Sequence, residues 1–185
     1  MRYPPRVRAD AARNLDAVLQ TGARLLAEDP STSISAIAAA AGVDRRTVHR
    51  RFACREVLRD AVCEAKVEAV ERVLREARLE CAPVAVALHR YVEGIIAVIR
   101  RYPIEPEQMR CAAESYARML DQRKRVATFM RRARDEGFIR PDLPDGMAEG
   151  MLYRIVALLA RQYRDYDPAS AADIAVDMLL SGVGK

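Results

Sequence analysis

The sequence predicts an all-α protein of about nine helices, with an N-terminal three-helix helix-turn-helix domain followed by a C-terminal helical bundle. Three observations carry this expectation. Aromatic residues make up 5% of the 185-residue chain, tryptophan is absent and alanine is frequent, a mixture that favours helices over strands. Apolar residues recur at helical spacing through most of the chain, and no segment reads as a strand. Turn-forming stretches, among them Asp29-Pro30-Ser31, Pro103 with Pro106, "RPDLPDG" and Asp167-Pro168, divide the periodic segments from one another.

The elements follow in order. Residues 1–9 are rich in Pro and Arg and carry no pattern, which suggests a basic arm. From Asp10 to about Glu28, Leu15, Val18, Leu19, Gly22, Leu25 and Leu26 fall on one helical face. Ser33 is placed to cap a short helix from Ile34 to about Ala40, and Gly42 follows where a helix ends in a left-handed turn. Asp44 is placed to cap a third helix, Arg45 to about Arg51. A long helix is expected from Arg55 to about Leu79, and another from Pro83 to about Arg101. Helical patterning resumes from Glu107 to Glu136, with a bend near Leu120-Asp121, and Gly137 ends it. Two last helices are expected, at 147–163 and 169–180.

Residues 33–52 therefore read as helix, three-residue turn, helix. The last of these segments, "GVDRRTVHRRF" (residues 42–52), holds Arg45, Arg46, Arg50 and Arg51 beside Val48 and Phe52. Val48 and Phe52 are four apart and share a face that can pack. Arg45, Arg46, Thr47, His49 and Arg50 then occupy the outer surface. Arginine forks to O6 and N7 of guanine, a contact worth ~1–3 kcal/mol of discrimination. Arg51 and Arg55 lie further along, where phosphate contacts position a protein without reading sequence. Ser33 either caps its helix only or also bonds a phosphate with its amide and hydroxyl. Charge agrees: residues 1–60 hold 11 Arg and 7 acids, whereas residues 61–185 hold 20 Lys and Arg against 19 acids. The excess that calls for a polyanion lies in the N-terminal third.

These residues resemble a known family. "SISAIAAAAGVDRRTVHRRFACREVL", Ser33 to Leu58, is similar to the DNA-binding domain of tetracycline-repressor (TetR) family transcription regulators. Ser33, Ile37, Ala38, Ala41, Gly42 and Val43 match the first half of the family pattern. Thr47, Val48, Phe52, Arg55, Glu56 and Leu58 match the second half. The resemblance covers about Asp10 to Val62. His49 stands where the family usually has Tyr and Arg51 where it usually has His, and Asp44 replaces a Ser cap. The resemblance implies a homodimer that binds a palindromic double-stranded DNA operator through residues 1–54; a cytoplasmic location is expected from the lack of an apolar span and of a signal-peptide pattern. It also implies that residues 55–185 bind a small molecule and dimerise through the last two helices. A repressor released by its ligand is the function implied, with a shift of the long helix from about residue 55 changing the spacing of the two recognition helices. Two alternatives stay open: a thiol-redox-sensing regulator, and a helical interaction protein of this fold without DNA binding.

For the ligand, His89 and Glu93 are i, i+4 on one helix, although they also fit a solvent stripe. Tyr116, Met119, Phe129 and Met130 either line an apolar pocket or fill the core. For the dimer, Met151, Ile155, Leu158 and Leu159 recur on one terminal helix, and Ile174, Met178 and Leu179 on the other, on more sides than one core contact requires. Other classes are excluded. No G-x-S-x-G, Walker or H-E-x-x-H pattern is present, so no enzyme, metal or cofactor is expected. No run of eighteen apolar residues predicts a membrane span. Cys54, Cys63, Cys81 and Cys111 form no C-x-x-C pair and suit reduced thiols.

Overall fold

The computed structural model describes the backbone of residues 5–183 and the side chains of residues 10–182. Nine helices and no strand occur among the described residues: α1 Pro5–Glu28, α2 Ile34–Ala40, α3 Arg45–Arg51, α4 Arg55–Ala77, α5 Val84–Arg101, α6 Pro106–Met109, α7 Ala113–Asp135, α8 Met147–Gln162 and α9 Pro168–Val183. Among these residues no helix is long and apolar enough to cross a membrane.

Besides α9, which runs past 180 to Val183, three boundaries differ from expectation. Residues 5–9 belong to α1 and are not part of a patternless arm; residues 1–4 of that expected arm lie outside the described residues. The interruption between Glu107 and Glu136 falls at residues 110–112, and α7 runs uninterrupted through Leu120-Asp121. No Pro or Gly marks this break. Burial accounts for it, because Met109 (1% exposed) and Ala112 (6%) must both turn inward, and the amide of Ala112 bonds the Met109 carbonyl in a tight i−3 turn. The third is the end of α4, at Ala77, where Arg78 takes a left-handed φ of 54°.

Contacts divide the chain into two compact units. One is built from the chain up to Lys66 together with Arg101–Tyr116, the other from Val67–Arg100 and Ala117–Lys185. The division is interleaved along the chain, so the first unit takes in the start of α4 and the whole of α6 in addition to the three N-terminal helices.

In the first unit, Val18 and Leu26 of α1, Ile34, Ile37 and Ala38 of α2, Val48 of α3, Phe52 and Leu58 form one buried cluster. Gly22 lets α1 approach closely: a Cβ there would lie 3.4 Å from Val62 and 3.7 Å from Ile37. Segment 101–116 is fastened by polar contacts. Arg101 pairs with Asp16 and Lys66 donates to the Ile104 carbonyl. Gln108 Nε2 donates to the Ala27 carbonyl at 3.3 Å, and Ser115 Oγ donates to Glu64 Oε2 at 3.1 Å. Tyr102 and Ile104 are buried beside them.

In the second unit, arginines finish the helices that the backbone leaves open. The guanidinium of Arg132 donates to the carbonyls of Leu79 and Ala82, both at 2.8 Å, in the turn after α4. Arg100 donates to Tyr166 O at 2.7 Å and Tyr163 O at 3.0 Å beyond the end of α8. These carbonyls lie in the turns just past the ends of α4 and α8, where the helical ladder no longer supplies donors. Helices α8 and α9 pack along each other, with Leu152, Val156 and Leu159 buried on α8 and Ala171, Ala172, Ala175 and Leu179 on α9. Alanines on one side permit the close approach. Arg125 bridges Glu71 at 2.8 Å and Glu80 at 3.1 Å, and Gln122 Nε2 donates to the Val67 carbonyl at 2.9 Å.

Two outcomes follow. A Cβ on Gly94 would lie 2.6 and 2.8 Å from the two methyls of Val73, a stiff β-branched neighbour. Gly94→Ala should therefore cost about 1–3 kcal/mol in urea unfolding, the usual penalty of overpacking. The Glu71 carboxyl is pushed up by burial, but hydrogen bonds from Arg125 and Gln122 outweigh this and hold it below its ordinary value. A lowered folded-state value stabilises fully above the unfolded value, about 4.3, and the benefit is lost as pH falls through the folded value. The melting temperature of the wild type should exceed that of Glu71→Gln at neutral pH, and the gap should close in acid.

Candidate nucleic-acid interface

The helix-turn-helix segment is built by two caps and a turn. Ser33 Oγ accepts from the Ala36 amide at 3.1 Å and starts α2. Gly42 then takes φ +64°, the left-handed conformation that glycine adopts without a side-chain penalty. Asp44 Oδ1 accepts from the Thr47 amide at 3.1 Å and starts α3. Val43 is half-buried in the turn between them.

Helix α3 is seven residues long and too short to hold itself in water. It is held by Val48, 2% exposed, and by Phe52 just past its end, 5% exposed. Everything else on it is outside. Arg45, Arg46, Thr47, His49, Arg50 and Arg51 are all exposed, and so is Ser33. Five of those seven carry a guanidinium or imidazole, so the outward surface is cationic and rich in donors. Arg45 Nε lies 3.4 Å from His49 Nε2 one turn on, so these two side chains sit together on one strip of the helix. Thr47, Arg50 and Arg51 fall on the strip toward α1. They line an open cleft of about 490 Å³ whose other wall is Asp10, Ala11, Asn14, Leu15 and Val18.

Arg55 occupies a different position. Its guanidinium donates to the Ser31 carbonyl at 3.1 Å and pairs with Glu56 at 3.1 Å. It therefore braces the α1–α2 loop against the start of α4, in addition to any contact it makes outward. Asp29 in the same loop is held below its ordinary value by hydrogen bonds from the Ser31 hydroxyl and amide, with the Arg55 charge adding to them. The sequence does not show this brace, since the two ends are 24 residues apart.

The other candidate residues lie apart from this surface. His89 is half-buried, with Nε2 2.8 Å from Asp173 of α9 and Nδ1 3.9 Å from Glu93 on its own helix. Phe129 and Met130 are buried, while Tyr116 and Met119 are half-buried. Met130 lines a small cavity of about 160 Å³ with Arg131, Arg134 and Asp145. On the last two helices, Leu159 (4% exposed) and Leu179 (1%) are consumed inside their own unit. Leu158 and Met178 stand 37% and 46% exposed, with Met151, Ile155 and Ile174 half-buried beside them in the same two helices.

The assembly of elements has known counterparts. The ketosteroid transcriptional regulator KstR2 of Mycobacterium tuberculosis superposes with a TM-score of 0.73 at 20% identity, over 91% of this chain and 93% of that one. The TetR-like regulator LfrR of Mycobacterium smegmatis, in complex with proflavine, gives 0.70 at 24% identity, over 94% and 98%. The TetR family regulator PfmR of Thermus thermophilus gives 0.67 at 20% identity, over 91% and 99%. The chain has the TetR-family fold. No family model matches the sequence, and no curated protein does. In this TetR-like fold, Val48 and Phe52 hold the second helix of the helix-turn-helix, the one that elsewhere enters the major groove.

Phe52→Ala removes a buried ring and no charge. It should cost about 3–5 kcal/mol, the usual penalty for emptying an aromatic site in a core, and the loss should appear as a lower denaturant midpoint. Asp44→Ala should cost about 1 kcal/mol by the same measurement, because one first-turn amide of α3 loses its partner.

Proposed function

We propose that this chain is a homodimeric, DNA-binding transcriptional regulator of the TetR type, a repressor that a small-molecule ligand releases from a palindromic operator. The observation that carries the reading is the partition at α3: Val48 and the Phe52 that closes the helix are buried, and its four arginines are exposed. A short helix anchored by one face, with the N-terminal cap of its neighbour also exposed, presents base-reading and phosphate-gripping groups on one surface.

The dimer rests on α8 and α9. Leu158 and Met178 leave apolar surface on two adjacent helices whose other faces are already buried. A second copy covers such a surface symmetrically, and a dimer offers two recognition helices to two half-sites. For the ligand, the support is the neighbour seen with proflavine and the neighbour described as a ketosteroid regulator. Ligand releases DNA only by binding the DNA-free state better.

Fluorescence anisotropy with a library of genomic fragments tests the DNA reading. A specific, salt-sensitive complex is expected, and its absence sinks the proposal. Arg46→Ala should relax sequence preference and cost ~1–3 kcal/mol at the preferred site. Arg55→Ala should weaken all sites about equally and lower the log–log salt slope by about one. Because Arg55 also braces the loop, this variant should show a lower melting temperature as well, which Arg46→Ala should not. Sedimentation of Leu158→Glu/Met178→Glu should give a folded monomer that binds half-sites weakly. A dimer unaffected by both charges refutes the assignment of α8 and α9.

A further inference from the structure

The four cysteines are free thiols, and the structure distinguishes them: Cys63 is buried, and Cys54, Cys81 and Cys111 are exposed. Cys63 lies on α4 one residue before Glu64, in the stretch of that helix against which residues 104–115 pack. Three observations place that segment against this stretch. Ser115 Oγ bonds Glu64, the next residue along. Lys66, three residues on, donates to the Ile104 carbonyl. A cleft of about 370 Å³ has Asp60, Ala61 and Glu64 on one side and Cys111, Ala112, Ala113, Glu114 and Ser115 on the other. Cys111 sits in the non-helical turn between α6 and α7, where its thiol donates to the Gln108 carbonyl at 3.2 Å.

We propose that Cys63 and Cys111 form an oxidisable pair whose disulfide ties α4 to the α6–α7 turn. The two thiols have opposite characters. Burial pushes the Cys63 thiol up to about 11, and the neighbouring Cys111 and Asp60 add to the rise, so Cys63 stays protonated and sheltered. Cys111 is the exposed partner that an oxidant meets first. With a peroxide of the hydrogen peroxide class, Cys111–SH and H2O2 give Cys111–SOH and one water. Once the turn opens and water reaches Cys63, its thiol gives up its proton, the thiolate attacks the Cys111 sulfur, the S–O bond breaks, and the departing hydroxide takes up that proton as a second water. The two sulfurs lose two electrons and the peroxide gains them. The turn at 110–112 is held by the short Ala112–Met109 bond and not by a helical ladder, so it gives up less than α4 does when one side moves to bring the sulfurs to bonding distance. The crosslink closes a loop that contains all of α5 and α6, which makes a change in the unit carrying α3 its physical consequence.

The test uses the full-length reduced protein, treated with hydrogen peroxide, alkylated and digested for peptide mass mapping. A peptide linked through Cys63 and Cys111, two hydrogens lighter than its parts, is expected in the wild type and in Cys54→Ser/Cys81→Ser. It should be absent from Cys111→Ser, an exposed substitution that leaves the fold intact. The oxidised wild type should also melt higher, and dithiothreitol should reverse this. Oxidation that stops at a Cys111 sulfinate, or that links only Cys54 or Cys81 between molecules, overturns the proposal. A regulatory effect rests on the DNA-binding reading and is measured separately, as a reversible change in DNA affinity that Cys111→Ser abolishes. Reduced protein that binds no DNA refutes that reading, while the linked peptide still decides the pair.

Discussion

The insertion of Val48 and Phe52 into the core made by α1 and α2 is the contact on which the rest of the DNA-facing surface depends. A seven-residue helix with four arginines repels itself and has too few internal hydrogen bonds to persist alone. Two buried side chains reverse this balance. They fix the axis and rotation of α3, and every charged side chain then has one direction left, outward. The caps at Ser33 and Asp44 and the left-handed turn at Gly42 set where the helices begin and end. The burial of Val48 and Phe52 sets which way they face.

Arginine serves two purposes in this chain, and position decides which. On α3 it is exposed and free to meet a polyanion. In the second unit it turns inward to carbonyls, as with Arg100 beyond α8 and Arg132 at the turn after α4. Five donors in a planar fork let one side chain satisfy several orphan acceptors at once. Arg55 stands between the two uses, with one nitrogen on the Ser31 carbonyl and the rest of the group at the surface. A net charge of +5 therefore overstates the cation available to a partner, because part of it is already engaged within the fold.

Local signals were legible wherever a residue acts on its near neighbours. Ser33, Gly42, Asp44 and Gly137 each take the role their chemistry suggested. The cationic face of α3 was legible too, because two apolar residues four apart leave only one way to turn it. Signals that depend on distant packing were not. The break at 110–112 contains neither Pro nor Gly and exists because Met109 and Ala112 are both drawn inward. The attachment of residues 101–116 to the N-terminal helices rests on Arg101–Asp16, Lys66–Ile104 and Gln108–Ala27, contacts between residues 38 to 85 positions apart.

By itself, then, the sequence determined the helices other than the α6–α7 break, the caps of α2 and α3, and the division of α3 into a buried and a charged face, since each follows from spacings of four residues or fewer. Only the tertiary structure decided which apolar residues are consumed within the chain. Leu159 and Leu179 are buried while Leu158 and Met178 remain outside, although all four have the same hydrophobic character and helical setting. It also decided which thiol is sheltered and which segment packs against its stretch of α4. The reason is common to both. Burial belongs to the approach of elements far apart in sequence, and a helix apolar on several sides does not say which side its own chain will cover.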